Sequence, residues 1–293
     1  MADQPVAPRI GLVGAAGRYG RWLSVFFTAN PELASEVRGH DLLDAHGEAA
    51  QSLAAWADVL VFTVPVAKTV DVIDSFLPLA PARQPDQLWM DLTSVKVMPV
   101  RAMLASGAEV VGLHPMCAPP SVSMLAGQRL VVCEGRLRQW RPWVEAFIQA
   151  TQAQVVRMEA VDHDHHAAHV QGLGHAAHLA QLMALKASGL PLNTLMRCAT
   201  PTFQLDIAIG MRLLAGDPAL YAGLLALTPE SRMALNALRD ACDRLLSGAN
   251  STNSLDELVD KIHALQAWAG TEYIQAHEEA YLQAIHARRS PLG

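Results

Sequence analysis

The segment Arg9-Ile-Gly-Leu-Val-Gly-Ala-Ala-Gly-Arg-Tyr-Gly20 decides the fold. Residues 9–13 rise into an apolar strand that breaks into a glycine turn, and Trp22, Leu23, Val25, Phe26 and Phe27 follow at helical density. Strand, glycine turn and helix, in that order, open a dinucleotide-binding α/β unit. The glycines let the backbone turn tightly and approach a pyrophosphate, whose charge meets the free N–H groups of the following helix. The spacing G-x-x-G-x-x-G is a variant of the usual fingerprint and is weak evidence without its flanks. Gly14, Ala16, Gly17, Arg18, Tyr19 and Gly20 are the expected cofactor contacts.

The helix stops by Asn30-Pro31, and residues 36–41 read as a second strand ending in an acid. A carboxylate about 20 residues past the glycines accepts the ribose hydroxyls of NAD and repels the extra phosphate of NADP. Asp41 stands there, with Asp44 as its rival, so NAD is the expected cofactor.

Residues 57–65 form a buried strand ending in Pro65, followed by a helix over 66–77. Another strand starts at Leu88 and carries Asp91, Thr93, Ser94 and Lys96 at or past its end; a helix over 98–104 follows. Residues 110–113 make a strand that stops at His114-Pro115, and residues 129–133 one more. Strands alternating with helices predict a parallel sheet wound on both faces. Thr63, Val64, Pro65, Thr93, Ser94, Lys96 and His114 then share the carboxyl-end rim, where ligands of open α/β sheets bind. A histidine on that rim exchanges a proton near neutral pH, which makes His114 the candidate general base.

After a short apolar pair at Val155-Val156 the periodicity turns helical: 167–187, 202–214, 218–225, 230–246 and 255–288 carry apolar residues at i, i+3, i+4 spacing. The expected division is a Rossmann-type domain over 1–158 and an all-α domain over 159–293 that both covers the cofactor cleft and packs against a copy of itself. In Asp162-His-Asp-His-His166, with His169, the side chains of His165 and His169 stand one helical turn apart, as a shared ion would need. The two aspartates, however, are natural first-turn acids of a helix, so a solvated helix end is expected and no metal.

Half the residues are hydrophobic (51%) and 17% charged, which is a globular composition. A net charge of −6 excludes the electrostatic footprint of a nucleic-acid or anionic-membrane binder. Four scattered cysteines suggest neither a disulfide framework nor a cysteine zinc site, and no signal-type or membrane-spanning segment is visible, so a cytoplasmic protein is expected.

Taken in order, G-A-A-G-R-Y-G, F-T-V-P, D-L-T-S-V-K, G-L-H-P-M and M-R-L-L-A-G-D-P-A-L-Y closely resemble the prephenate dehydrogenase family, in particular the branch often fused to chorismate mutase. The resemblance spans essentially the whole chain. It implies NAD-dependent oxidation at C4 of a cyclohexadienyl dicarboxylic acid with loss of the ring carboxylate as carbon dioxide. It makes His114 the base and Arg212 the substrate-carboxylate ligand, with Lys96, Ser94, His175 and Tyr221 lining the same cleft, and it implies a homodimer through the helical half. Two departures bear on the substrate. Cys117-Ala118-Pro119 replaces a commoner F-G-P, and Gln204 stands where relatives can carry a second arginine. Neither a mutase domain nor a regulatory domain is expected. Prephenate and its 4-amino-4-deoxy analogue both remain open as substrates. Two rivals keep the fold: a different oxidoreductase, such as a 3-hydroxyacid dehydrogenase or a dihydrodipicolinate reductase-like enzyme, and a nucleotide-binding protein without turnover.

Overall fold

The computed structural model describes residues 7–41, 48–120, 124–250 and 253–289, with the side chains of 48 and 286–289 left aside. The strands are β1 (Arg9–Val13), β2 (Glu36–His40), β3 (Val59–Phe62), β4 (Leu88–Asp91), β5 (Glu109–Pro115), β6 (Arg129–Arg136) and β7 (Gln154–Arg157). They form one sheet in the order β2-β1-β3-β4-β5-β6-β7. The first five are mutually parallel, β6 runs antiparallel to β5, and β7 is parallel to β6. Between them lie α1 (Arg18–Ala29), α2 (Glu48–Trp56), α3 (Thr69–Phe76), α4 (Val97–Leu104) and α5 (Arg141–Thr151). A short 3-10 turn, Val66–Lys68, opens the segment read as one helix over 66–77.

Alternation along each strand builds two cores, one per face of the sheet. Ile10, Leu12, Val59, Val61, Leu88 and Met90 point to one side. There they meet the stripe Trp22, Leu23, Phe26 and Phe27 of α1, together with Val144, Phe147 and Ile148 of α5. Val13, Leu60, Phe62 and Trp89 point to the other, against Leu53 of α2, Ile73 and Phe76 of α3 and Met103 of α4. Strands buried on both faces read as continuous apolar runs, the pattern residues 57–65 display. The expected doubly wound sheet is what the chain adopts.

The rest is helical: α6 (Ala160–Ala167), a π-helical turn Ala168–Leu173, α7 (Gly174–Ala187), α8 (Leu192–Met196), α9 (Pro201–Leu214), α10 (Pro218–Ala226), α11 (Pro229–Ala249), α12 (Ser254–Ala269) and α13 (Thr271–Arg289). Two expectations need correction. The single helix read over 255–288 is broken at Gly270, whose φ of +80° lies in the left-handed region that glycine tolerates. The helix read as starting at 167 begins at Ala160 and passes through the π-helical turn.

The chain forms two compact units. One holds residues 1–172 and 217–232, the other 173–216 and 233–293. The expected boundary at 158/159 falls just past β7; the compact units instead divide after Gly172, and α10 returns to the sheet unit. There Gly223 of α10 lies against the 3-10 turn so closely that a Cβ would stand 2.7 Å from Val66 Cγ1.

Candidate active site

The β1–β3 gap is a switch point of the strand order, and the glycine turn sits at its carboxyl end. Gly14 has φ +92°, and Gly20 of α1 is pressed so tightly onto the turn that a Cβ would come within 2.3 Å of Gly14 O and 2.6 Å of Ala15 Cα. Thr63, at the end of β3, donates its hydroxyl to Gly14 O at 3.0 Å. Gly17 caps α1 without a side-chain hydrogen bond. Asp41 follows β2, and its carboxylate accepts the Ala16 N–H at 3.0 and 3.2 Å. Asp44 lies outside the described residues. A backbone cradle with a carboxylate at the next strand's end fits the pyrophosphate and ribose of a dinucleotide. Arg18 is exposed at the start of α1. Tyr19 donates its hydroxyl to Cys117 O at 2.6 Å, tying α1 to the loop after His114, and burial makes its phenol a weaker acid than usual. Val64 is buried and Pro65 exposed, at the start of the 3-10 turn.

His114 ends β5 opposite Val131 and is 3% exposed. Burial first, then His163, then Lys96 hold its imidazole well below the ordinary histidine range, so it is neutral at pH 7. Its Nδ1 lies 2.8 Å from His163 Nε2, and His163 Nδ1 lies 2.7 Å from Asp164 Oδ1. The tautomers follow from the carboxylate. Asp164 can only accept, so His163 donates from Nδ1 and receives at Nε2, and His114 donates from Nδ1. That leaves the His114 Nε2 lone pair available as a base. Asp164 is held in turn by the N–H groups of Lys96 (2.7 Å, to Oδ1) and Val97 (3.0 Å, to Oδ2), which open α4.

His163 and Asp164 were expected in a solvated helix end; both are buried, at 2% and 3% exposure. Val161, Asp162, His165 and His166 take the solvent side of α6 in their place. The sequence signal is faint: His163 and Asp164 are each followed four residues on by an alanine, Ala167 and Ala168, and all four are buried. No metal-binding group of three or more ligating side chains occurs among the described residues.

Lys96 also departs from expectation. It is fully buried, paired with Asp91 Oδ2, and donates to Leu113 O at 2.8 Å. An ammonium consumed by those partners supports β5 just before His114, and this geometry does not support the substrate-binding role expected for it. Thr93 is turned the same way. Its N–H and its hydroxyl both donate to Asp91 Oδ2, at 3.0 and 2.5 Å, so its side chain belongs to the Asp91 cluster. Ser94 is half-buried beside them.

The remaining substrate candidates divide between the units. Tyr221 is half-buried on α10, in the sheet unit, where Asp217 caps the helix by accepting the Ala219 N–H at 2.9 Å. Arg212 and Gln204 are exposed on α9 of the helical unit. His175 of α7 is brought near Arg212, and burial followed by that guanidinium lowers its basicity.

Residues 23–156 match the nucleotide-binding domain of prephenate dehydrogenase, and residues 159–264 its dimerization domain. The chain belongs to the prephenate dehydrogenase family. Among curated members of the family, the T-protein of Haemophilus influenzae is 31% identical over 89% of this chain and 67% of its own length. The 4-amino-4-deoxyprephenate dehydrogenase of Streptomyces pristinaespiralis is 30% identical over 84% of this chain and 86% of its own length. The chain spans 57% of a second T-protein, from Enterobacter agglomerans, at 37% identity. The prephenate dehydrogenase of A. aeolicus, solved with hydroxyphenyl propionate and NAD+, superposes with a TM-score of 0.61 at 14% identity, covering 97% of this chain and 100% of that one. A family member from Corynebacterium glutamicum gives 0.64 at 20% identity over 90% of each chain. These structural likenesses show the shared fold.

Proposed function

We propose that this chain is an NAD-dependent dehydrogenase that oxidises and decarboxylates a prephenate-type cyclohexadienyl acid, prephenate or its 4-amino-4-deoxy analogue, to the 4-substituted phenylpyruvate. The observation that carries the reading is His114: neutral, on the carboxyl-end rim, with Nδ1 committed to His163 and Nε2 left as a base. The glycine cradle and Asp41 hold the dinucleotide, and NAD, when bound, supplies the hydride acceptor. His114 Nε2 removes the proton from the C4 substituent as the hydride departs. Loss of carbon dioxide needs no metal, because aromatisation of the ring drives it. Arg212 takes a substrate carboxylate, a role suited to a planar guanidinium, with His175, Tyr221, Ser94 and Gln204 as further contacts.

The relative acting on the 4-amino substrate is matched over most of its length, and this supports keeping that substrate beside prephenate. We infer a homodimer through the helical unit, supported by its match to a dimerization domain and by large exposed apolar residues there, among them Met183 (70%), Leu255 (74%) and Trp268 (85%). Four free thiols and the absence of any described helix long and apolar enough to cross a membrane are compatible with a cytoplasmic enzyme.

NADH absorbance with NAD and, in turn, prephenate, arogenate and 4-amino-4-deoxyprephenate tests the reading. The His114→Asn protein should bind NAD normally and turn over roughly 10²–10⁴-fold more slowly, the usual worth of a general base. Wild-type protein silent on all three substrates would overturn the proposal.

A further inference from the structure

A base that takes a proton must hold the resulting charge somewhere, and His114 is poorly placed to hold it. It is buried, hydrogen-bonded on its inner side to another imidazole, and near the Lys96 ammonium. His163 is the reverse case. Its Nδ1 lies 2.7 Å from a carboxylate that two backbone N–H groups and the buried start of α4 keep fixed. An imidazolium next to a buried carboxylate is favoured over one next to an ammonium, because in a low-dielectric site a neighbouring charge dominates.

We propose that His114 and His163 form a two-imidazole proton relay: as His114 Nε2 takes the substrate's proton, the His114 Nδ1 proton passes to His163 Nε2, and the positive charge comes to rest beside Asp164. The inference builds on the reading of His114 as the base. The step balances. The substrate's O–H (or N–H) bond breaks and an N–H bond forms at His114 Nε2; the His114 Nδ1–H bond breaks and one forms at His163 Nε2. His114 ends neutral in its other tautomer, and His163 carries the charge with its Nδ1–H still donated to Asp164 Oδ1. After product leaves, the reverse shift returns the proton through Nε2 to solvent. His163 thereby supplies more than orientation, since it takes a proton that a hydrogen-bond acceptor alone cannot.

The charged groups acting on the pair are Asp164, bonded to His163, and Lys96, near His114, with Asp91 held by Lys96. Asp164→Asn would disturb both His163 and the α4 cap, so the discriminating change is at His163. In His163→Gln the amide oxygen still accepts the His114 Nδ1–H bond and keeps its tautomer, but it cannot bind the proton. We expect kcat to fall by roughly 10²-fold, the lower end of the range assigned to proton transfer by side chains. KM for NAD and the melting temperature should stay close to wild type, and the acid limb of kcat should move to lower pH because His114 then holds the charge alone. His163→Ala should recover turnover with added imidazole. A His163→Gln enzyme with wild-type kcat and an unmoved acid limb overturns the relay. So does a His163→Ala enzyme that stays folded and ignores imidazole. Should the wild type turn over none of the three cyclohexadienyl acids, the proposed reaction fails independently, and ¹⁵N-histidine NMR of the cofactor-free protein still decides the relay. Both Nδ1 atoms must carry the protons, with a hydrogen-bond coupling from His114 Nδ1 to His163 Nε2; a proton on His163 Nε2 refutes it.

Discussion

Replacing Lys96 with Met tests the structural side of the site. The Lys96–Asp91 pair is buried at 0% exposure on both sides, and Met fills most of the lysine's volume while removing its charge. Breaking one side of such a pair strands a carboxylate without its counter-ion, which costs about 3–5 kcal/mol. Asp91 keeps the Thr93 N–H at 3.0 Å and the Thr93 hydroxyl, so we place the loss at the lower end, about 3 kcal/mol at pH 7. Out of a total stability of about 5–15 kcal/mol, that is a large share. Urea unfolding followed by tryptophan fluorescence reports mainly on the sheet unit, because five of the six tryptophans, Trp22, Trp56, Trp89, Trp140 and Trp143, lie there, and the sixth, Trp268, is already exposed. The double variant Lys96→Met/Asp91→Leu should recover much of the loss, since no charge is then left buried. A Lys96→Met protein within about 1 kcal/mol of wild type at pH 7, with an unchanged denaturant slope, would mean that the pair is not closed as described.

Gly20→Ala should remove NAD binding, measured by fluorescence quenching or calorimetry, because its Cβ would meet backbone atoms of Gly14 and Ala15 that cannot step aside; unchanged affinity would refute the cradle. Asp41→Asn should narrow the preference for NAD over NADP in kcat/KM, and equal use of both cofactors by the wild type would remove Asp41 from that role. Arg212→Ala should raise KM for the substrate by the equivalent of roughly 2–4 kcal/mol with kcat reduced less, as expected when a carboxylate contact is present in ground and transition states alike; an unchanged KM would dismiss it. The pH dependence of stability follows from His114, whose folded-state basicity is depressed. Below about pH 6.5 the unfolded chain binds a proton that the folded one resists, so stability that is complete above that pH is lost as pH falls, and His114→Asn should flatten this part of the curve.

What the sequence disclosed and what it hid differ by the distance over which each feature is encoded. The glycine turn, the strands of both cores and His114 at the end of β5 are local: composition and period over about ten residues specify them. The partners that define the site are not. Nothing in the spacing of Asp91 and Lys96 announces a pair, because the residues between them form an irregular loop whose path the chain's three-dimensional course decides. His163 and Asp164 look like ordinary helix-start residues until α6 is seen against α4, where the carboxylate caps two N–H groups more than sixty residues upstream. The break at Gly270 was also concealed, since apolar spacing continues on either side of it.

The return of α10 to the sheet unit makes this a chain that crosses between its two units three times, after residues 172, 216 and 232. No single cut therefore yields either unit as one continuous piece. A fragment ending at residue 158 would keep every strand of the sheet yet lose α6 and α10, and with them the carboxylate that sets the tautomer of its own histidine. The boundary at which such a protein can be dissected is thus set by a hydrogen bond, and not by where its strands stop.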